Sequence, residues 1–319
     1  MTRDCYRGLL AVGVLGLVLT PFNLFAEDEA GTTPDKGEPS YSRRGADTCL
    51  GCHDAQSTLS IFKTPHAQRG DERTPFAAGQ LQCEACHGPG GDHAKRVRRG
   101  DERPPIPYFS SQSPGSVSER NGVCLECHET HVAMDWAGSV HETEDLACAD
   151  CHTVHAAHDP VTRTQTQSQV CFDCHVQQRA EANKPFSHPI REGLAACTDC
   201  HNPHGTPSDF MLVRNSTNET CYTCHQDKRG PLLWEHAPVT EDCAICHTPH
   251  GSIHPAMLTK RPPLLCQQCH SQATHPSIPY KSSGLADGSA TSMLLSGSCL
   301  NCHSQVHGSN HPSGAALQR

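Results

Sequence analysis

The sequence has few of the residues that build ordinary protein cores. Only 35% of its 319 residues are hydrophobic and 5% are aromatic, whereas glycine (25) and proline (24) are frequent and spread along the chain. Such a chain buries too little apolar surface to offset the conformational entropy that it loses on folding. The composition therefore argues against two ordinary globular domains, and it predicts that bound groups supply the missing core.

Positive charge and methionine are also scarce. The formal net charge is -9, so a nucleic-acid partner is not expected. After Met1 only Met134, Met211, Met257 and Met293 remain.

Cysteine, by contrast, is abundant and confined to one motif. Twenty of the 21 cysteines lie in ten C-x-x-C-H sequences, numbered here as sites 1 to 10 in chain order. A zinc ribbon or a redox disulfide explains a lone C-x-x-C, but neither requires a histidine directly after the second cysteine. Ten repeats of the full motif predict ten covalently bound haems c. The thioether cysteines are Cys49, Cys52, Cys83, Cys86, Cys124, Cys127, Cys148, Cys151, Cys171, Cys174, Cys197, Cys200, Cys221, Cys224, Cys243, Cys246, Cys266, Cys269, Cys299 and Cys302.

The 24 histidines are numerous enough to give every iron two ligands. The motif supplies the proximal ligands His53, His87, His128, His152, His175, His201, His225, His247, His270 and His303. A single histidine follows each odd-numbered site, and another follows each even-numbered site closely. We predict that these ten are the distal ligands: His66, His93, His141, His155, His188, His204, His236, His250, His275 and His307. His131, His158, His254 and His311 remain, and the last three lie close enough to His155, His250 and His307 to exchange roles with them.

The spacing of the sites predicts the fold. Successive first cysteines are 22 to 41 residues apart. Polar lead-ins with Ser, Asn or Thr as N-caps precede odd-numbered sites, and turns with Pro and Gly follow even-numbered ones. We expect a mostly irregular multihaem cytochrome c with short α-helices and little or no β-structure. Two-haem repeats would form an extended haem wire, a row of haems along which electrons pass. Residues 100–122 and 281–298 are predicted to be surface loops.

The N-terminus has the features of a secretory signal peptide. Arg3 and Arg7 precede the apolar run 8–19, and Ala26 ends a plausible cleavage site. The predicted organisation is a signal peptide (1–26), a flexible lead-in (27–46), an N-terminal pentahaem half (47–185) and a C-terminal pentahaem half (186–319). Export places haem attachment outside the cytoplasm.

Saturation of the iron ligands distinguishes an electron carrier from an enzyme. A multihaem reductase needs an iron with an open position, which a departure from C-x-x-C-H often marks. None of the ten motifs departs from it. Electron transfer is therefore the favoured function, and a multihaem reductase of a small oxyanion or sulfur compound is the alternative.

Several motifs resemble those of a known family. The ten sites, together with G-P-G-G-D-H after site 2, H-N-P-H-G after site 6, H-T-P-H-G after site 8 and H-G-S-N-H-P-S-G after site 10, resemble the MtrA/DmsE family. Its members are periplasmic decahaem cytochromes of porin-cytochrome conduits. The two-haem repeat also resembles the smaller pentahaem electron donors of nitrite reduction.

The resemblance implies a bis-His haem wire in the periplasm, associated with the outer membrane and inserted in a β-barrel porin. It implies a quinol-linked cytochrome of the periplasm or inner membrane as one partner. An outer-surface multihaem cytochrome or terminal reductase would be the other, in anaerobic respiration with an extracellular acceptor. Ferric minerals, dimethyl sulfoxide and ferrous iron are all open as the terminal substrate, with either direction of flow. A soluble periplasmic shuttle without a barrel is a further alternative.

Overall fold

The computed structural model describes residues 40–130, 134–270 and 299–318. They belong to one compact unit, Ser40–Arg319. The signal peptide, most of the lead-in, the 281–298 loop, His131 and His275 lie outside the described residues. The division into pentahaem halves at 185/186 stays a prediction. No helix of the described part is long and apolar enough to cross a membrane.

Short helices joined by irregular segments make up the fold, as the sequence predicts. The α-helices are α1 (Ala46–Cys49), α2 (Gln56–Leu59), α3 (Glu84–His87), α4 (Gly91–Ala94), α5 (Val117–His128), α6 (Val140–Thr143), α7 (Cys148–Cys151), α8 (Thr164–Phe172), α9 (Val176–Ala182), α10 (Thr217–Cys221), α11 (Ala237–Glu241) and α12 (Leu264–Gln267). Single turns of 3-10 helix cover Ser60–Lys63, Pro65–Ala67, Pro160–Thr162, Cys197–Asp199, Asp209–Met211, Gln226–Lys228, Cys243–Ile245, Pro255–Met257 and Cys299–Asn301.

Odd-numbered and even-numbered sites occupy opposite ends of helices. The first cysteine of each odd-numbered site lies near the C-terminal end of α1, α5, α8, α10 or α12. The first cysteine of each even-numbered site begins or immediately precedes a helical turn. The Ser116 and Glu119 side chains form a capping box at the start of α5, and Ser216 caps α10. The polar lead-ins thus start the helices that carry odd-numbered sites, although α8 begins after Arg163 without a side-chain cap.

Backbone pairing of the β type is limited, in the described residues, to isolated bridges. In the described ranges the bridges are Phe186 with Ser252, His201 with Leu212, Trp234 with Ser309, and His247 with Leu258. Two of them close equivalent loops after sites 6 and 8, where Asn202 N–H donates to Met211 O and Thr248 N–H donates to Met257 O, each at 2.8 Å. The Pro and Gly residues of these loops end the helical turn, as expected.

Little apolar surface is buried by the chain itself. Across the described residues half of the ten buried hydrophobic side chains are alanines, and a small cluster consists of Ala46, Ile61 and Phe76. None of the large side chains in these ranges is fully buried. Phe210 and Leu194 are 82% and 78% exposed and line the cavity described below. Such a core cannot offset the entropy of ordering the chain.

We therefore expect the haem-free chain to be largely unfolded. Its far-ultraviolet circular dichroism should show little helix and no cooperative thermal transition, whereas the haem-loaded protein should melt cooperatively. A compact haem-free form with a sharp melting transition would contradict this expectation.

Candidate functional site

The histidine rings form pairs that join distant parts of the chain. Nine motif histidines each face a predicted distal histidine, with ring centroids 6.0 to 6.3 Å apart. The pairs are His53–His93, His87–His155, His128–His66, His152–His204, His175–His141, His201–His250, His225–His188, His247–His307 and His270–His236. The tenth predicted distal ligand, His275, lies outside the described residues.

The pairing follows a regular rule. A histidine that follows an odd-numbered site faces the next odd-numbered site, as His66 faces His128 of site 3. A histidine that follows an even-numbered site faces the preceding even-numbered site, as His250 faces His201 of site 6. His93 departs from the rule because no even-numbered site precedes site 2, and it faces His53 of site 1.

The ring separation fits a metal ion between each pair. A bond of about 2 Å from a metal to each imidazole nitrogen, together with the distance from each nitrogen to its ring centre, accounts for centroids 6.0 to 6.3 Å apart. This separation is too long for a direct hydrogen bond between the rings. The two imidazoles of each pair could therefore hold one haem iron between them.

Hydrogen bonds orient these rings. Nδ1 of His141, His188 and His236 lies 2.7 to 2.9 Å from the carbonyl oxygens of Pro203, Pro249 and Val306. In each case Nδ1 carries the proton and donates a hydrogen bond to the carbonyl oxygen. The opposite nitrogen, Nε2, therefore has the lone pair that can ligate iron. Each carbonyl belongs to the residue directly before a histidine that follows an even-numbered site, namely His204, His250 or His307. The bond therefore links the ligand of one site to the ligand of its neighbour.

The motif histidines of even-numbered sites are oriented in the same manner. In four of them Nδ1 lies 2.5 to 2.8 Å from a backbone carbonyl oxygen. The pairs are His87 with Pro107, His201 with Phe210, His247 with Ala256, and His303 with Ala316. His152 differs, because its Nδ1 contacts the carboxylate of Asp159 at 2.7 Å. The loop 100–122, predicted only as a surface loop, thus supplies a partner for an iron ligand.

The pKa of five predicted distal histidines is lowered, which favours the neutral form that binds metal. Burial lowers the pKa of His66 and His155, and the facing motif histidine lowers it further. The pKa values of His204, His250 and His307 are lowered in the same direction, again chiefly by burial. Metal ligation requires the unprotonated imidazole, so this environment favours coordination.

A single cavity connects the sites. Its volume is about 5340 Å³, and its lining includes the two cysteines and the histidine of all ten motifs. A pocket for one drug-sized ligand measures about 300–1,000 Å³. The cavity is therefore large enough for many macrocycles, and its lining residues fit covalently attached haems.

Sites that are consecutive in the sequence are also neighbours in the structure, because their thiols affect one another's pKa. Burial raises the pKa of the Cys221 thiol to about 12, and the Cys243 thiol of the next site contributes to the rise. Burial also raises the pKa of Cys246, with Cys269 as the next cause. Interacting thiols connect all ten sites: Cys49–Cys83, Cys86–Cys127, Cys124–Cys148, Cys151–Cys174, Cys171–Cys197, Cys200–Cys224, Cys221–Cys243, Cys246–Cys269 and Cys266–Cys299.

Buried amide side chains, which the sequence analysis missed, join the two sites in three of the repeats. Asn121 Oδ1 accepts the N–H of Cys148 at 2.8 Å, and its Nδ2 donates to Leu146 O at 3.0 Å. Asn218 accepts the N–H of Cys243 at 2.7 Å in the same way, and Gln167 Oε1 accepts the N–H of Thr198. Each amide lies three or four residues before the first cysteine of an odd-numbered site, a regularity that could have identified them.

A glycine permits close packing beside a distal ligand. Gly251 follows His250, has a φ of 141°, and lies where a Cβ atom would overlap the carbonyl oxygen of Glu181. Only glycine combines this backbone conformation with so close a contact.

The remaining described histidines make other contacts. His158 Nδ1 contacts the Arg163 guanidinium. The N–H groups of His254 and His311 donate to Ser252 Oγ and Ser309 Oγ, each at 3.0 Å. His131 lies outside the described residues.

Family models match three segments of the chain. A model described as a doubled CXXCH motif matches residues 188–230 and 236–275, and a model of the NrfB-like cytochrome c-type protein matches residues 83–167. Each doubled segment contains two motifs and begins at a predicted distal histidine, His188 or His236. These matches support the two-haem repeat.

Three curated proteins are similar in sequence. The multiheme cytochrome MtrA of Shewanella baltica is 46% identical over 96% of this chain and 93% of its own length. The cytochrome c-type protein NrfB of Haemophilus influenzae is 29% identical over 58% of this chain and 91% of its own length. The C-type polyheme cytochrome OmcB of Geobacter sulfurreducens is 25% identical over 70% of this chain, which corresponds to 25% of that protein.

The amide contacts predict a loss of stability on substitution. Asn121→Ala and Asn218→Ala would each leave the N–H of an even-site cysteine without its acceptor. We expect the free energy of unfolding of the haem-loaded protein to fall by about 1–3 kcal/mol in each variant, measured by urea denaturation. Asn215→Ala, at an exposed position, is the matched control, and an equal loss there would contradict the prediction.

The ring pairs predict which histidine closes site 6. Replacing His250 with alanine should leave every haem covalently attached but convert one of them to a high-spin form, because His201 would lose its facing imidazole. Electron paramagnetic resonance and the mass of the intact protein measure both effects. His254→Ala is the control and should retain only low-spin haems. A high-spin signal from His254→Ala, but not from His250→Ala, would exchange the two roles.

Proposed function

The chain belongs to the MtrA family of multihaem c-type cytochromes, and we propose that it holds ten haems in a row along which electrons pass in chain order. Binding of c-type haem and electron transfer are properties of the family. The observation that carries the more specific proposal is the paired histidine rings, nine of them 6.0 to 6.3 Å apart along one cavity.

Site 10 would be closed by His275. His93 faces site 1 because no earlier even-numbered site exists for it. His275 is the equivalent of His93 in the last repeat. It follows site 9, and the sequence has no later odd-numbered site for it to face. By the same logic His275 is proposed to ligate the iron that His303 binds, so that all ten sites have two histidines.

The residues of the chain hold and tune the bound groups. When bound, each haem iron supplies one-electron chemistry between its ferric and ferrous states. The two imidazoles of each pair would hold one haem iron between them, which would leave no coordination position for a substrate. Carbonyl acceptors at Nδ1 orient several of these rings, such as His141 and His201, and ligation by histidine rather than methionine would keep the potentials low. This arrangement supports an electron carrier rather than a reductase.

The cellular role proposed here is a conduit across the outer membrane. We place the exported protein in the periplasm, within or against a β-barrel porin. It would exchange electrons with a quinol-linked cytochrome on one side and an outer-surface multihaem cytochrome or terminal reductase on the other. The support is its membership of the MtrA family and the arrangement of its sites in chain order.

Purification from detergent-solubilised outer membranes tests the conduit. We expect the chain to elute with one β-barrel protein, with an intact mass equal to the mature polypeptide plus ten haems. Recovery from the periplasmic fraction without a barrel would instead identify a soluble shuttle. Carbon monoxide should leave the absorption spectrum of the reduced protein unchanged, whereas a carbon monoxide complex would reveal an open site and favour a reductase.

A further inference from the structure

The geometry points to Asp159 as a positioning residue that lowers the reduction potential of the haem at site 4 relative to the other even-numbered sites. The inference rests on the proposed ligation of that iron by His152 and His204, whose rings are 6.1 Å apart and nearly parallel, at 14°. It concerns a carboxylate that the sequence analysis did not single out.

The contact between Asp159 and His152 uses both carboxylate oxygens. Oδ2 lies 2.7 Å from His152 Nδ1, and Oδ1 accepts the backbone N–H of Thr153 at 3.2 Å. The Asp159 side chain is only 19% exposed and that of His152 is 35% exposed. Solvent therefore screens this pair less than it screens an ion pair on the surface. These two contacts fix the position of the carboxylate beside the imidazole.

The other even-numbered sites provide an internal comparison. Within the described ranges, their motif histidines donate from Nδ1 to backbone carbonyls, those of Pro107, Phe210, Ala256 and Ala316. A carbonyl oxygen has only a partial negative charge, whereas the carboxylate of Asp159 has a full one. In the loops after sites 6 and 8 the acceptor lies nine residues beyond the motif histidine, and Asp159 lies seven beyond His152.

A carboxylate at Nδ1 changes the ligand in a known direction. It draws the Nδ1 proton toward itself, which makes the opposite nitrogen a stronger electron donor. A stronger donor stabilises the ferric state more than the ferrous state, because the ferric ion has the greater positive charge. The potential of site 4 therefore falls through hydrogen bonding beyond the ligand itself.

A second carboxylate near a distal ligand is placed less favourably. Glu181 Oε2 lies 3.4 Å from Nδ1 of His250, which faces site 6, and Glu181 Oε1 is 3.9 Å from the Lys184 ammonium. The longer distance and the neighbouring positive charge weaken its effect. Site 4 is thus the even-numbered site at which an arriving electron would be held least tightly. The electron leaves one site and enters the next, and no bond forms or breaks.

Redox titration of the full-length, haem-loaded protein tests the inference. In Asp159→Asn we expect one haem equivalent of the absorbance change to move to higher potential. The expected change in its reduction equilibrium is about tenfold, or about 59 mV for one electron. Asp159→Glu should retain the wild-type curve because it restores a carboxylate. Asp101→Asn removes a charge at an exposed position that does not line the cavity, and its curve should superimpose on that of the wild type.

The haem content separates failure of this inference from failure of the proposed function. Ten low-spin haems in every variant, with an unchanged titration in Asp159→Asn, would overturn the role of Asp159 and leave the ten-haem row intact. If Asp159→Asn loses the haem of site 4, the wild-type electron paramagnetic resonance spectrum decides. One low-spin signal with a narrower spread of g values than the others supports the inference, and its absence overturns it.

Discussion

At nine sites, histidine rings from different parts of the chain face each other, and the fold depends on these pairs. The chain buries few large apolar side chains, so its own packing cannot define the path of its long irregular segments. Each histidine pair connects segments tens of residues apart, such as His66 with His128 and His201 with His250. In this molecule cofactor ligation performs the task that a hydrophobic core performs elsewhere.

Much of this arrangement could be predicted from the sequence, because covalent chemistry sets the spacing of the motif. The C-x-x-C-H repeats predict the attachment positions, and the recurrence of single histidines predicts the second ligands. The nine such histidines within the described ranges all face motif histidines, as His155 faces His87. The polar lead-ins also predicted helices, which Ser116 and Ser216 start with side-chain hydrogen bonds.

The partners of those histidines could not be predicted, because spacing along a chain does not determine which segments meet in space. His250 follows site 8 closely, yet it faces site 6. Local sequence also conceals contacts made over long separations, such as the hydrogen bond from His236 Nδ1 to Val306 O, 70 residues away. Asp159 was missed for a related reason. A single polar residue in an irregular segment has no periodic pattern, and only its neighbours in the fold reveal its role.

The alternating direction of the pairs has a consequence for how such proteins can change length. Ligands reach forward from odd-numbered sites and backward from even-numbered sites, so a break in the chain between two repeats would deprive sites on both sides of a ligand. Within the described ranges, the contact of His93 with His53 is the one that stays inside a single repeat. An ancestral or engineered protein could therefore gain or lose internal repeats in steps of two sites, provided that its terminal repeats were kept. Interlocked ligands thus make the pair of sites the unit by which the molecule is lengthened or shortened.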